Sequence, residues 1–223
     1  MSLEREVGDE VYKVYGLEIN PFSAGGSFPL GHAYEKKLAL AFAGRDEAER
    51  IINQSLNRLS RGEGFPVIAI CGFYGYGKTH ALKYIYWTTR DKYYDILPIY
   101  IKGLDKPSGK ELYVKVVTNL IDKLGHPWLL NAIKNMIKSI RNKPELEEQM
   151  RNIFPDMLRV LIKIKNNDIL AFKWLLGNEL KFEELVKLGI YKNIDESNAS
   201  KALSAFAFFI YIGYEKKLLL NNP

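Results

Sequence analysis

The chain has 223 residues, of which 47% are hydrophobic and 26% charged, with a formal net charge of +6; this is ordinary for a soluble globular protein. A single cysteine, Cys71, excludes a disulfide framework and fits a reducing cytoplasm. The longest apolar run, around residues 205–212, is far short of a membrane span, and the opening Met1-Ser-Leu-Glu-Arg-Glu6 is polar and acidic, unlike a secretory leader.

The charge is unevenly placed. Residues 1–60 hold 7 Lys/Arg against 9 Asp/Glu, residues 61–125 hold 10 against 6, and residues 126–192 hold 12 against 8. Such an excess permits contact with nucleic acid without requiring it. The basic residues of 126–192, among them Lys134, Lys138, Arg141, Lys163 and Lys165, are spaced singly along helices, as solvated faces are.

In chain order, residues 1–32 read as an extended arm punctuated by Asn20-Pro21-Phe22 and Ala24-Gly25-Gly26. Between Arg45 and Leu59, the residues Ile51, Ile52, Leu56 and Leu59 fall on one helical face, and Gly62 and Gly64 end that helix. The continuous apolar run from Phe65 to Cys71 predicts a strand buried on both faces. A glycine-rich loop follows, then a helix over 81–89 and a second strand at Ile96–Ile101. Ser108 and Glu111 have the spacing of a capping box and introduce a helix with Leu112, Val116, Val117, Leu120 and Leu124 inward, stopped by Gly125. This alternation of strand and helix predicts an α/β fold with a parallel sheet.

Residues 127–190 carry successive helical patterns, around 129–140, 145–164 with a break at Pro155, 168–176 and 182–188, and no convincing strand. The expected organisation is therefore an arm and an α/β core over 1–125, a helical insertion over 126–192, and a closing unit over 193–223. That last unit holds a helix from Asp195 to Tyr211, ended by Gly213, and a third strand beginning at Lys217.

Gly72-Phe73-Tyr74-Gly75-Tyr76-Gly77-Lys78-Thr79 satisfies G-x-x-x-x-G-K-[ST] in full. The glycines let the backbone curl so that amides from about Gly75 to His80 point inward as an anion nest. The following helix adds its positive N-terminal end. Lys78 is placed to reach the β- and γ-phosphates of ATP, and Thr79 to put its hydroxyl on Mg²⁺. A chance match in a chain of this size has odds on the order of one in a hundred. Ser108-Gly109-Lys110 is no second loop, because Glu111 stands where Ser or Thr is needed. Hydrolysis also needs an acidic residue at the end of a neighbouring strand to hold Mg²⁺. Asp195-Glu196 follows no buried strand and reads as a helix N-terminus with Asp195 as cap; Leu218-Leu219-Leu220 is a better strand but ends in Asn221-Asn222-Pro223.

The loop and its surroundings resemble the AAA+/ASCE branch of P-loop ATPases, and more closely the ATP-binding proteins of the BREX phage-exclusion system and their archaeal relatives. The resemblance rests on Asn20-Pro21-Phe22 with Ala43-Gly44-Arg45-Asp46-Glu47, on Gly72 to Leu82, on Leu175-Leu176-Gly177 through Leu185 to Ile190, and on Ile194 to Ala199 running to Gly213-Tyr214. It implies a P-loop NTPase sheet of few strands with a large α-helical insertion, ATP and Mg²⁺ as ligands, and an ATPase working on or near DNA. It also implies a strand ending Asp-Glu where this chain has Asn-Asn-Pro, so that either the strand is cut short or the acidic pair is replaced. In such ATPases a later strand sits between the loop strand and the acidic strand. Its absence here implies a partner chain, a second copy or an altered strand order at residues 66–71. Two other readings stand beside this one. One is a nucleotide-gated interaction protein without turnover; the other is a P-loop kinase, for which no substrate-clamp motif is visible.

Overall fold

The computed structural model describes residues 35–42, 44–64, 66–101 and 108–221. The expected N-terminal arm with Asn20-Pro21-Phe22 lies outside the described residues, as do Ala43, Phe65 and the closing Asn222-Pro223. In order, the elements are Glu35–Leu40 (α1), Asp46–Arg61 (α2), Lys78–Lys92 (α3), Ile96–Tyr100 (β1), Gly109–Leu124 (α4) and His126–Asn142 (α5). They continue with Glu145–Ile153 (α6), Pro155–Lys165 (α7), Ile169–Leu175 (α8), Phe182–Leu188 (α9), Ala199–Tyr214 (α10) and Lys217–Asn221 (β2). The described chain is thus mostly helical with a small parallel sheet, an α/β arrangement. Among the described residues no helix is long and apolar enough to cross a membrane.

The two apolar runs at 96–100 and 217–221 pair in parallel, from Ile96 opposite Lys217 to Tyr100 opposite Asn221. Bonds beyond the ladder hold both ends: Lys217 N–H to Asp95 O at 2.8 Å and Ile101 N–H to Asn221 O at 2.7 Å. At the N-terminal end the Lys217 ammonium lies 3.1 Å from the Asp95 carboxylate, which also accepts from Ser60 Oγ at 3.0 Å. This charge pairing fixes the register where short strands alone would slip.

Two apolar clusters hold the helices. The larger joins Ile99 of β1 and Val116, Val117 and Leu120 of α4 to Trp174 of α8 and Phe206 and Phe209 of α10. Each such fully buried side chain contributes about 1.5–3 kcal/mol. Trp174 is completely buried and its indole N–H donates to Lys192 O at 3.1 Å, so its one polar atom is satisfied. Tyr113 is equally buried; its hydroxyl donates to Leu175 O at 2.8 Å, and burial drives its pKa upward. The smaller cluster gathers Phe42, Ile52, Leu56, Ala81, Tyr84 and Ile85, with Ile68, Ile70 and Leu219 packed against it.

Several sequence expectations hold at the level of elements. The helix over 45–59 forms, Gly62 caps it with left-handed backbone, and every helical segment expected in 127–190 is present with no strand among the described residues. Ser108 Oγ accepts from Glu111 N–H at 3.1 Å as the capping pattern requires, while the Glu111 carboxylate reaches Lys115 at 2.8 Å.

Three expectations are corrected. Residues 66–71 are extended but form no strand, and they are not buried on both faces: Ile68 and Ile70 pack inward while Val67 is 93% exposed and Ala69 and Cys71 are exposed. An apolar run becomes a buried strand only where neighbours supply backbone partners on both sides. Among the described residues, none bonds to the backbone of 66–71. Gly213 does not end the last helix. It lies within α10, where a β-carbon would collide with the backbone carbonyl of Ala132 on α5, and the chain leaves the helix at Glu215 in left-handed conformation. Glycine at 213 serves close helix approach rather than termination. The last helix also starts at Ala199, with Asn198 rather than Asp195 at its N-cap position.

Candidate functional site

The segment from Gly72 to His80 leaves the extended run, curls, and enters α3 at Lys78. Gly75 and Gly77 both take left-handed backbone, with φ of 84° and 76°, a conformation that costs residues with a β-carbon about 1–2 kcal/mol. Tyr76 N–H closes the curl on Phe73 O at 3.3 Å, and the first helical bond runs from Ala81 N–H to Gly77 O at 2.9 Å. The amides of Lys78, Thr79 and His80 therefore stand at the open end of a 15-residue helix that has no side-chain cap and no acidic residue in its first turn. These bare donors and the positive end of the helix dipole suit an anion.

Lys78 is half-buried, and its ammonium donates to Gly72 O and Phe73 O, both at 2.8 Å. The lysine thus folds over the concavity its own loop encloses, where a bound phosphate would compete for the same charge. Thr79 is exposed. The His80 ring instead turns away to Ala39 O at 3.1 Å and meets Phe42 edge-on at 5.6 Å, so its contribution to the nest is its amide. Phe73, Tyr74 and Tyr76 are 79%, 102% and 63% exposed, and Phe73 and Tyr76 meet edge-on at 5.7 Å.

Arg45 is the residue whose role the motif does not show. Its guanidinium donates to Tyr76 O at 2.9 Å and to Gly77 O at 3.4 Å, and stands 5.3 Å from the Phe42 ring centroid. It thereby ties the start of α2 to the two carbonyls immediately before Lys78. A β-carbon at Gly77 would run into that guanidinium. Only the stretch Ala43 to Glu47, part of the resemblance, pointed toward this position. Beside the loop lies a cavity of about 320 Å³, lined by Phe42, Ile52, Ile70, Tyr76 and Ala81 together with Arg45 and Lys78.

The acidic candidates are engaged elsewhere. Asp195 accepts from Ser197 N–H at 2.8 Å and Ser197 Oγ at 2.6 Å, bonds that hold its carboxyl below the usual range. Glu196 sits across the N-terminus of α4, accepting from Gly109 N–H at 2.5 Å and Lys110 N–H at 3.0 Å. The expected cap at Asp195 is thus a local turn, and the neighbouring Glu196 caps a helix far away in sequence. Asn221 ends β2 almost completely buried, its side-chain amide nitrogen without an acceptor. Among the described residues no group of three His, Cys, Asp or Glu side chains could hold a metal ion.

The aromatic residues of 126–192 differ in exposure. Phe154 and Trp174 are buried and stacked, Trp128 and Phe172 are half-buried, and Phe182 is 75% exposed at the start of α9.

Compared with models of protein families, with curated proteins and with solved structures, the chain matches none. The likeness to AAA+/ASCE ATPases rests on the residues quoted for it.

Proposed function

We propose that the chain is an ATP-binding P-loop module of AAA+/ASCE type, with Gly72 to His80 cradling the phosphates. The observation that carries this reading is the uncapped, acid-free N-terminus of α3, reached through left-handed Gly75 and Gly77 with Lys78 folded over it. A tri- or diphosphate fits that chemistry: bare amides and a lysine accept it, and it releases Lys78 from carbonyls the lysine now occupies. Thr79 would be the one protein ligand to Mg²⁺, which takes its other ligands from phosphate and water. The mostly apolar cavity beside the loop offers a surface for the nucleobase.

In the ASCE order a later strand stands between the loop strand and the third strand, whereas the kinase order places the loop strand beside the third; the pairing of β1 with β2 is common to both. The unpaired backbone of 66–71 would then receive a further strand, from a partner chain or a second copy. DNA as a substrate of the larger assembly rests on the resemblance and the positive charge.

A second reading, nucleotide-gated interaction without turnover, is favoured by one specific observation. The strand that should deliver the Mg²⁺-binding carboxylate ends in Asn221, and Asp195 and Glu196 are both bound up in turns and caps. Binding without hydrolysis by this chain alone is the expected behaviour. Titration with a fluorescent ATP analogue and a phosphate-release assay, run on the same purified chain, test it. Saturable Mg-dependent binding with negligible turnover is expected. Robust hydrolysis that persists in Asp195→Asn/Glu196→Gln would place a catalytic carboxylate elsewhere, and absence of nucleotide binding would remove the module reading.

A further inference from the structure

A second cleft opens on the opposite flank of α3 from the loop cavity's lining, between α3, the end of β1 and the last turns of α4. Its volume is about 450 Å³, and Tyr86, Trp87, Arg90, Tyr100, Asp122 and Lys123 line it together with Asn119. The aromatic rings form a connected wall: Tyr86 meets Trp87 edge-on at 5.3 Å and Tyr100 edge-on at 6.5 Å. The indole N–H of Trp87 donates to the buried Glu35 carboxylate, which anchors the ring by its edge.

Cations stand on these rings. The Arg90 guanidinium lies 5.1 Å from the Trp87 ring centroid, and the Lys123 ammonium 4.8 Å from that of Tyr86, donating also to its hydroxyl at 2.5 Å. Other cations nearby are neutralised: Lys36 pairs with Asp91 at 2.8 Å and Lys83 with Glu35 at 3.8 Å. Among the described residues Arg90 and Lys123 have no carboxylate partner, and both are exposed. Asp122 is the one carboxylate in the lining.

We infer that this cleft binds single-stranded nucleic acid, with Arg90 and Lys123 taking backbone phosphates and the half-buried rings of Trp87 and Tyr100, held by the buried Tyr86 behind them, supplying a surface for a base. The combination selects that ligand. Two cations without a carboxylate partner would suit any anion, but the half-buried rings of Trp87 and Tyr100 in the same cleft match a repeating unit of charge and flat π-surface. An acidic peptide would use the cations and leave the rings idle. A duplex keeps its bases stacked inside and could not offer one to the wall. The site is independent of the phosphate-loop reading, since it involves none of the residues of 72–80. It differs from the singly spaced basic residues of 126–192, whose pattern is that of solvated helix faces.

The test uses the full chain without nucleotide and a short fluorescein-labelled oligothymidylate, read by anisotropy and by tryptophan fluorescence. Trp174 is fully buried and Trp128 half-buried within the helical core, so the signal lost in Trp87→Phe isolates Trp87. Binding is expected with quenching of Trp87, weakening about sevenfold between 50 and 200 mM salt, because two phosphate contacts on a single strand carry a log–log slope of roughly −1.4. Arg90→Gln/Lys123→Gln, both at exposed positions and checked for an unchanged circular dichroism spectrum, should lower affinity about tenfold and flatten the salt dependence. No binding at low salt, unchanged affinity in the double variant, or equal binding by polyglutamate with full competition would each overturn the assignment.

Discussion

The carboxylate of Glu196 spans the first two amides of α4, one oxygen 2.5 Å from Gly109 N–H and the other 3.0 Å from Lys110 N–H. Eighty-odd residues of chain separate the partners, so the contact ties the entry to α10 against the helix that follows β1. Lys110 also reaches Glu179, in the segment between α8 and α9, at 3.0 Å. A helix N-terminus with a carboxylate on it is an electrostatically matched pair.

Acid should loosen this junction. The Lys110 and Gly109 amides together hold the Glu196 carboxyl below its ordinary value of 4.5. A group depressed in the folded state contributes stability that is complete above its unfolded value and is lost as pH falls through the folded one. The denaturation midpoint should therefore decline below about pH 4.5, and Glu196→Gln should remove part of that decline while lowering the midpoint at neutral pH. An identical pH profile in wild type and variant, followed by circular dichroism, would remove Glu196 from the account.

Gly213→Ala should destabilise the fold by about 1–3 kcal/mol, the usual cost of forcing extra volume into a packed interface. The added methyl meets the Ala132 carbonyl, which belongs to helix backbone and cannot rotate aside. Urea denaturation measures the loss; an unchanged midpoint would show that α10 and α5 are not in such close contact.

The elements themselves were largely legible. Ile96–Tyr100 and Lys217–Asn221 announce themselves as short apolar runs, and the helices of 126–188 by their periodicity and caps. What sequence could not disclose depends on distant neighbours. The run at 66–71 has the composition of a buried strand, yet burial needs flanking strands, and no described segment pairs with it. Gly213 resembles a helix stop because the Ala132 backbone it accommodates lies far away along the chain. The curl from Gly72 to Gly77 and the helix start at Lys78 were readable residue by residue, because left-handed glycines act locally. The grip of Arg45 on the Tyr76 and Gly77 carbonyls bridges about thirty residues and has no motif of its own.

Arg45→Ala should weaken nucleotide binding by roughly three- to tenfold, the worth of about one hydrogen bond, with little change in thermal stability because the contact is at the surface. Its role is to position the carbonyls before Lys78. Arg45→Lys should recover only part of the affinity, since an ammonium cannot fork to two carbonyls as a guanidinium does. A calorimetric titration with ATP gives both numbers. Wild-type affinity in Arg45→Ala would show that the loop keeps its shape unaided.

On the proposed reading, Lys78 and the bare amides of α3 form a phosphate site. Titration of wild type and Lys78→Ala with a fluorescent ATP analogue in the presence of Mg²⁺ tests it most directly. Lys78 makes its hydrogen bonds to exposed loop carbonyls, so the variant should fold normally and lose at least about tenfold in affinity, the lower bound for a charge-assisted bond to phosphate. Equal ATP affinity in wild type and Lys78→Ala, with both proteins folded, would contradict the assignment of Gly72 to His80 as a nucleotide-binding loop.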